Sequence, residues 1–160
     1  MKVLIVLEDP SYDRYIVQPV VEKILDRLSR KARVDVLTNP HLRGASQVFA
    51  QLDEIIENYP MIDLFVVVMD RDCDRDGHEA KLANLVAKHP GKAVGCLAVQ
   101  EVEVWMLAIQ DDLPASMTEI RDECDPKEAY AEPWLLEHGY SGMDVGKGRK
   151  DAMRALATNY

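Results

Sequence analysis

Hydrophobic positions along this chain follow two alternating periods. Compact apolar runs rich in β-branched residues occupy residues 2 to 7, 33 to 37, 63 to 69 and 93 to 99, and between them apolar residues recur at helical spacing. That alternation predicts βαβ units and a largely parallel sheet. The first, third and fourth runs are apolar throughout, as in strands buried on both faces, whereas Arg33-Val34-Asp35-Val36-Leu37 alternates and reads as an edge. Ile16, Val17, Val20, Val21, Ile24, Leu25 and Leu28 mark the first helix, with Ser11 as its expected N-cap and Pro19 as an internal kink or restart. Residues 45 to 58 and 78 to 88 supply two more helices, and a fourth starts around Val102 and runs through Trp105 to Ile109. Beyond Pro114 the pattern changes to a charged, proline-punctuated and then glycine-rich stretch. The expected organisation is an α/β domain over residues 1–112 and a C-terminal appendage over residues 113–160, packed on or extending it and ending in a short helix at 151–157.

At 160 residues the chain suits one domain with its own core. A net charge of -9 repels polyanions, so a nucleic-acid substrate needs a local basic patch or divalent ions. Lys147, Arg149, Lys150 and Arg154 form a dense basic cluster, and Gly146 and Gly148 leave the backbone there free to approach a phosphate; a solvated tail is the alternative. Cys73, Cys96 and Cys124 are odd in number and lack paired ligand spacing, which argues against a disulfide framework or a zinc site and for a reducing compartment. Neither a secretory h-region nor an apolar stretch near twenty residues is present, so the expectation is a soluble, cytoplasmic protein that does not engage a membrane. His41, His78, His89 and His138 are not paired at ligand spacing and are assigned no chemistry.

Two acid clusters follow strands: Glu8-Asp9 after the first, and Asp70, Asp72, Asp74 and Asp76 after the third. Parallel strand ends line one edge of an open sheet, so these clusters can converge. If strands 1 and 3 are neighbours, Glu8 lies about one strand spacing, roughly 4.8 Å, from the Asp70 backbone. If strand conformation persists to residue 72, Asp70 and Asp72 point the same way and can chelate. Three such carboxylates call for raised pKa values or a divalent ion, and Mg²⁺ held by a few carboxylates plus waters fits. Single acids after strands are ordinarily solvated turn residues, and Asp76 is read that way, with Asp74 kept as a secondary site residue. The stretch Asp72 to Gly77 imitates the start of an EF-hand loop, but the twelfth position is Ala83 rather than a bidentate Glu.

A Glu after the first strand and an Asp-x-Asp after a later one resemble the topoisomerase-primase, or TOPRIM, family. Glu8 matches the Glu, and Asp70-Arg71-Asp72 matches the Asp-x-Asp. Glu101-Val102-Glu103-Val104-Trp105-Met106-Leu107-Ala108 further resembles the Glu-x-Glu-x-Trp-x-Leu-Ala segment of small TOPRIM-like proteins. The resemblance covers roughly residues 1 to 112 and departs at Asp9, where the family pattern carries Gly, which predicts a differently shaped loop. It implies a Rossmann-like three-layer sandwich with about four mainly parallel strands. It also implies Mg²⁺ (or Mn²⁺) binding and cleavage or joining of phosphodiesters. Metal ligands would be Glu8, Asp70, Asp72, Glu101 and Glu103, with Asp13 and Asp74 secondary. For Glu101 and Glu103 the alternative is a helix N-terminus that favours acids, with Trp105 in the core.

The leading expectation is therefore a Mg²⁺-dependent nuclease acting on DNA or RNA, or the TOPRIM subunit of a nuclease complex, in phage defence or DNA repair. Its catalytic set is Glu8, Asp70, Asp72 and Glu103, with Lys147 facing the scissile phosphate. A protein partner such as an ATPase, or self-association into a homo-oligomer, would supply further substrate grip. Two alternatives stand beside it. Glu8-Asp9 and Asp70 also imitate the acid pocket of a receiver domain with Asp70 as phosphoacceptor, though no fifth strand with Lys-Pro is evident; the other is a catalytically silent scaffold.

Overall fold

The computed structural model describes residues 1–71, 73 and 77–139. The sheet is built from β1 (Lys2–Leu7), β2 (Arg33–Val36), β3 (Leu64–Asp70) and β4 (Ala93–Ala98). All three pairings are parallel and the strand order is β2-β1-β3-β4. The connecting helices are α1 (Arg14–Arg27), α2 (Ala45–Asn58) and α3 (Gly77–Val86). Strands and helices alternate because β-branched runs pack as pleated ribbons while the intervening apolar positions form one helical stripe. Along β1, Val3, Ile5 and Leu7 enter one core cluster with Ile16 and Val17 of α1, while Leu4 and Val6 enter the other with Leu52 and Ile55 of α2. The result is a helix–sheet–helix sandwich in which β1 and β3 are covered on both faces. Each fully buried Leu, Ile, Val or Phe side chain contributes about 1.5–3 kcal/mol to holding the layers together.

Three local expectations are corrected. Ser11 does not cap α1: the N-cap position falls at Asp13, and the Ser11 N–H instead donates to Asp9 Oδ1 at 2.8 Å. Asp9 thus turns the chain ahead of the helix, as a short acid in an Asx-type turn does. Pro19 does not restart α1, which runs unbroken through it. Strand β4 is not buried on both faces: it is the outer strand, and Val94 is 43% exposed. Strand β2 is the other edge, as its alternation predicts.

The chain after β4 forms α4 (Glu103–Ala108), α5 (Met117–Asp122), one π-helical turn (Lys127–Ala131) and α6 (Glu132–Glu137). Ser116 and Glu119 close a reciprocal capping box at the start of α5, with the Glu119 N–H donating to Ser116 Oγ at 3.2 Å and the Ser116 N–H to Glu119 Oε2 at 3.0 Å. Ile120, Ala131, Trp134 and Leu135 share the core cluster of β1 and α1. Trp134 Nε1–H donates to the Asp112 carbonyl at 2.8 Å, and His138 stacks on Trp134 while its Nε2 lies 2.6 Å from Asp112 Oδ2. A histidine without expected chemistry is thus part of the clasp that fastens α6. Lys147, Arg149, Lys150, Arg154 and the expected helix at 151–157 lie outside the described residues, as do Asp72, Asp74 and Asp76. Among the described residues, no helix is long and apolar enough to cross a membrane.

The expectation of no disulfide is overturned. Cys73 and Cys124, 51 residues apart in sequence, are bonded with their Cα atoms 5.4 Å apart, leaving Cys96 free. An odd count says nothing about which pair the fold brings together; here the loop after β3 and the end of α5 meet over Gln100. Closing a loop of this length should stabilise the fold by about 2–4 kcal/mol. Cys73→Ser is expected to lower urea-unfolding stability by that amount, and maleimide should label only Cys96 in the unreduced chain. Labelling of all three cysteines without reductant would refute the pairing.

Candidate functional site

The carboxyl ends of β1, β3 and β4 lie side by side, and two acids stitch them together. Leu7 pairs with Val68 and Asp70 with Ala98, so Glu8 leaves β1 beside the last residues of β3. Glu8 Oε1 accepts the Asp70 backbone N–H at 2.6 Å. Asp70, with the same parity as Val66 and Val68, accepts the Val102 N–H on Oδ1 at 2.9 Å, just before α4. The neighbour relation inferred for strands 1 and 3 therefore becomes a direct contact between Glu8 and Asp70. Charge-assisted bonds of this kind hold a carboxylate more firmly than neutral ones do.

Other acids crowd the same edge. Glu8 and Glu103 are buried, at 9% and 7% exposure. Asp13, at the start of α1, has its pKa raised from 3.8 to about 8, first by burial and then by the charges of Glu103, Asp9 and Glu8. Asp13 was expected only as a secondary residue, yet it sits at the centre of this repulsion. Its weight depends on the turn at Asp9, which returns the chain over the strand ends; the Asp13 N–H donates to the Asp9 carbonyl at 3.2 Å. Glu101 stands at the rim: its Oε2 accepts the Lys127 N–H at 3.0 Å, and its pKa is raised to about 7 by burial, with the charges of Glu103 and Glu128 adding and the Lys127 bond opposing. Its carboxylate thus ties the edge to the appendage. Trp105 packs partly buried against the core.

Gln100 is a residue of this edge that sequence reasoning missed. It is fully buried, with a φ of 67°, a left-handed conformation uncommon outside glycine. Its carbonyl accepts the Arg71 N–H at 2.9 Å, its Oε1 accepts the Cys73 N–H at 2.8 Å, and its Nε2 donates to the Arg121 carbonyl at 3.4 Å. One amide side chain therefore links the loop after β3 to α5. An amide just after an apolar strand, beside acids that attract attention, carries no such signal in the sequence.

As a metal site the described residues fit in kind but not in number. Glu8, Asp70 and Glu103 offer the oxygen donors a hard cation takes. Among the described residues, however, no three His, Cys, Asp or Glu side chains group closely enough to hold one ion. Strand β3 ends at Asp70, and Asp72 lies outside the described residues.

The Asp13 shift has a definite sign. The folded protein keeps this proton up to about pH 8, whereas the unfolded chain loses it near 3.8. Between these values the folded state binds the extra proton, so stability falls as pH rises and levels off above about pH 8. In EDTA, Asp13→Asn should therefore raise Tm relative to the parent by an amount that grows from pH 4 to pH 8; a constant difference would contradict the assigned burial. No family model, no curated protein and no solved structure matches this chain.

Proposed function

We propose that the chain is a Mg²⁺-dependent phosphodiester hydrolase of the TOPRIM type, acting on DNA or RNA alone or as the subunit of a nuclease complex. The observation that carries this reading is the Glu8–Asp70–Val102 relay at the carboxyl edge of a parallel sheet, with buried Glu103 beside it. Open α/β sheets bind their ligands at that edge, and the two acids of the relay are the ones that match the TOPRIM Glu and the first Asp of Asp-x-Asp. Mg²⁺, taken by Glu8, Asp70 and Asp72 with Glu103 in support, would offset negative charge on the phosphate. The chain's own contribution is positional: backbone amides orient Glu8 and Asp70, and Glu103 is held buried at the same edge. Lys147 is assigned to the scissile phosphate, and Arg149, Lys150 and Arg154 to the strand beyond it.

The phosphoacceptor alternative draws no comparable support, because among the described residues the sheet ends at β4 and no strand bearing Lys-Pro follows.

Supercoiled plasmid and single-stranded RNA should each be incubated with the protein in Mg²⁺, Mn²⁺ or EDTA. Cleavage of one of them is expected with metal and not with EDTA. Glu8→Gln and Asp70→Asn keep an acceptor oxygen for the Asp70 and Val102 amides, so both should fold while cleavage falls about 100-fold or more. Undiminished cleavage by both variants would sink the assignment.

A further inference from the structure

A cavity of about 330 Å³ opens beside the acid edge, lined by Arg71, Val99, Thr118, Arg121 and Asp122. It lies between the ends of β3 and β4 on one side and α5 on the other. The volume falls at the lower end of small-ligand sites, which run from roughly 300 to 1,000 Å³. Thr118, Arg121 and Asp122 are exposed, so the cavity is reached from solvent, while Arg71 is half-buried.

Its chemistry is unusual for this acidic protein. Two arginines line the cavity with one aspartate, so within the lining itself positive charge exceeds negative. Arg71 Nε is enclosed and has no hydrogen-bond partner among the described residues. A buried charged donor without an acceptor is costly, and a shift of the Arg71 side chain that opened Nε to a ligand oxygen would remove that cost. Guanidinium Nε and Nη donors form the fork that matches two oxygens of a phosphate, and the Thr118 hydroxyl can add another donor.

The walls are also held in place. Gln100 bonds the Arg71 N–H through its own carbonyl and the Arg121 carbonyl through its side chain. Cys73–Cys124 joins the same two segments covalently. Both arginines are therefore anchored at the backbone before any ligand arrives, which lowers the ordering cost of binding.

We propose that this cavity is a phosphate-binding site, and that the phosphate it holds belongs to the nucleic-acid strand whose neighbouring linkage faces Glu8 and Asp70. The choice of a strand over a free phosphate compound rests on the nuclease reading; the phosphate chemistry of the cavity does not. Arg71 directly follows Asp70, so a strand bound here continues past the acid edge. The site gives a protein of net charge -9 a local grip on a polyanion within the described residues.

Inorganic phosphate binding can be followed by phosphorus NMR titration of the unreduced full chain, and binding of a single-stranded oligonucleotide by anisotropy in EDTA at several salt concentrations. Arg71→Gln and Arg121→Gln serve as variants, with thermal melts as folding controls; Arg121, exposed on α5, keeps the test open if Arg71→Gln fails to fold. Each substitution is expected to weaken inorganic phosphate binding roughly tenfold or more. Oligonucleotide affinity should fall in the same variants, with the salt slope reduced by about one. Loss of inorganic phosphate binding without any oligonucleotide binding by the parent would support a site for a small phosphate compound and count against the strand. Phosphate binding that is absent from the parent, or unchanged in both variants, would overturn the proposal; metal-dependent cleavage persisting in that case would leave the nuclease reading standing.

Discussion

The arrangement of the site depends on one relay of backbone amides and carboxylates. Glu8 accepts the amide of Asp70, and Asp70 accepts the amide of Val102, so two side chains fix three consecutive strand ends against one another. Each of those amides lies beyond or at the end of the ladder bonds, where a parallel sheet leaves donors to be satisfied. Acids serve there because a carboxylate reaches across a strand spacing and accepts more strongly than a neutral oxygen. The strand ends are thereby ordered, and negative charge accumulates at the same edge.

That charge has a structural cost, carried most visibly by Asp13. Its carboxyl keeps a proton to about pH 8 because burial and the charges of Glu103, Asp9 and Glu8 all oppose ionisation. Crowding of this kind is what perturbed acids at functional edges display, although structural networks produce it too. Positive charge enters from the other direction: Arg71 and Arg121 stand on segments joined by Gln100 and by Cys73–Cys124. The appendage is thus more than a cover for the core, because it closes the far wall beside the acids.

Much of the architecture was legible in the residues. The runs at 2–7, 33–37, 63–69 and 93–99 became the four strands to within a residue or so at each end, since a continuous β-branched run has few other ways to bury itself. The second helix was read at its observed bounds because no proline or competing cap disturbs residues 45 to 58. Ser11 was misread because the turn at Asp9 delays the helix until Arg14, and β4 because an apolar run does not reveal whether another strand lies beyond it.

The site divides along the same line. Glu8 and Asp70 were legible because strand ends of a parallel sheet are local in sequence and fixed in direction, so their meeting follows once the strands are found. Asp13 was read only as secondary, and Gln100, Arg71 with Arg121, and the Cys73–Cys124 bond were not read at all. Each acquires its role from a segment more than twenty residues away or from a turn whose path the sequence does not state. The sequence by itself determined the layers of the fold and the two acids at its edge, because hydrophobic periodicity acts over a few residues. Only the tertiary structure decided which buried amide, which arginines and which cysteines share that edge, because burial, charge proximity and disulfide geometry exist only between segments brought together by folding.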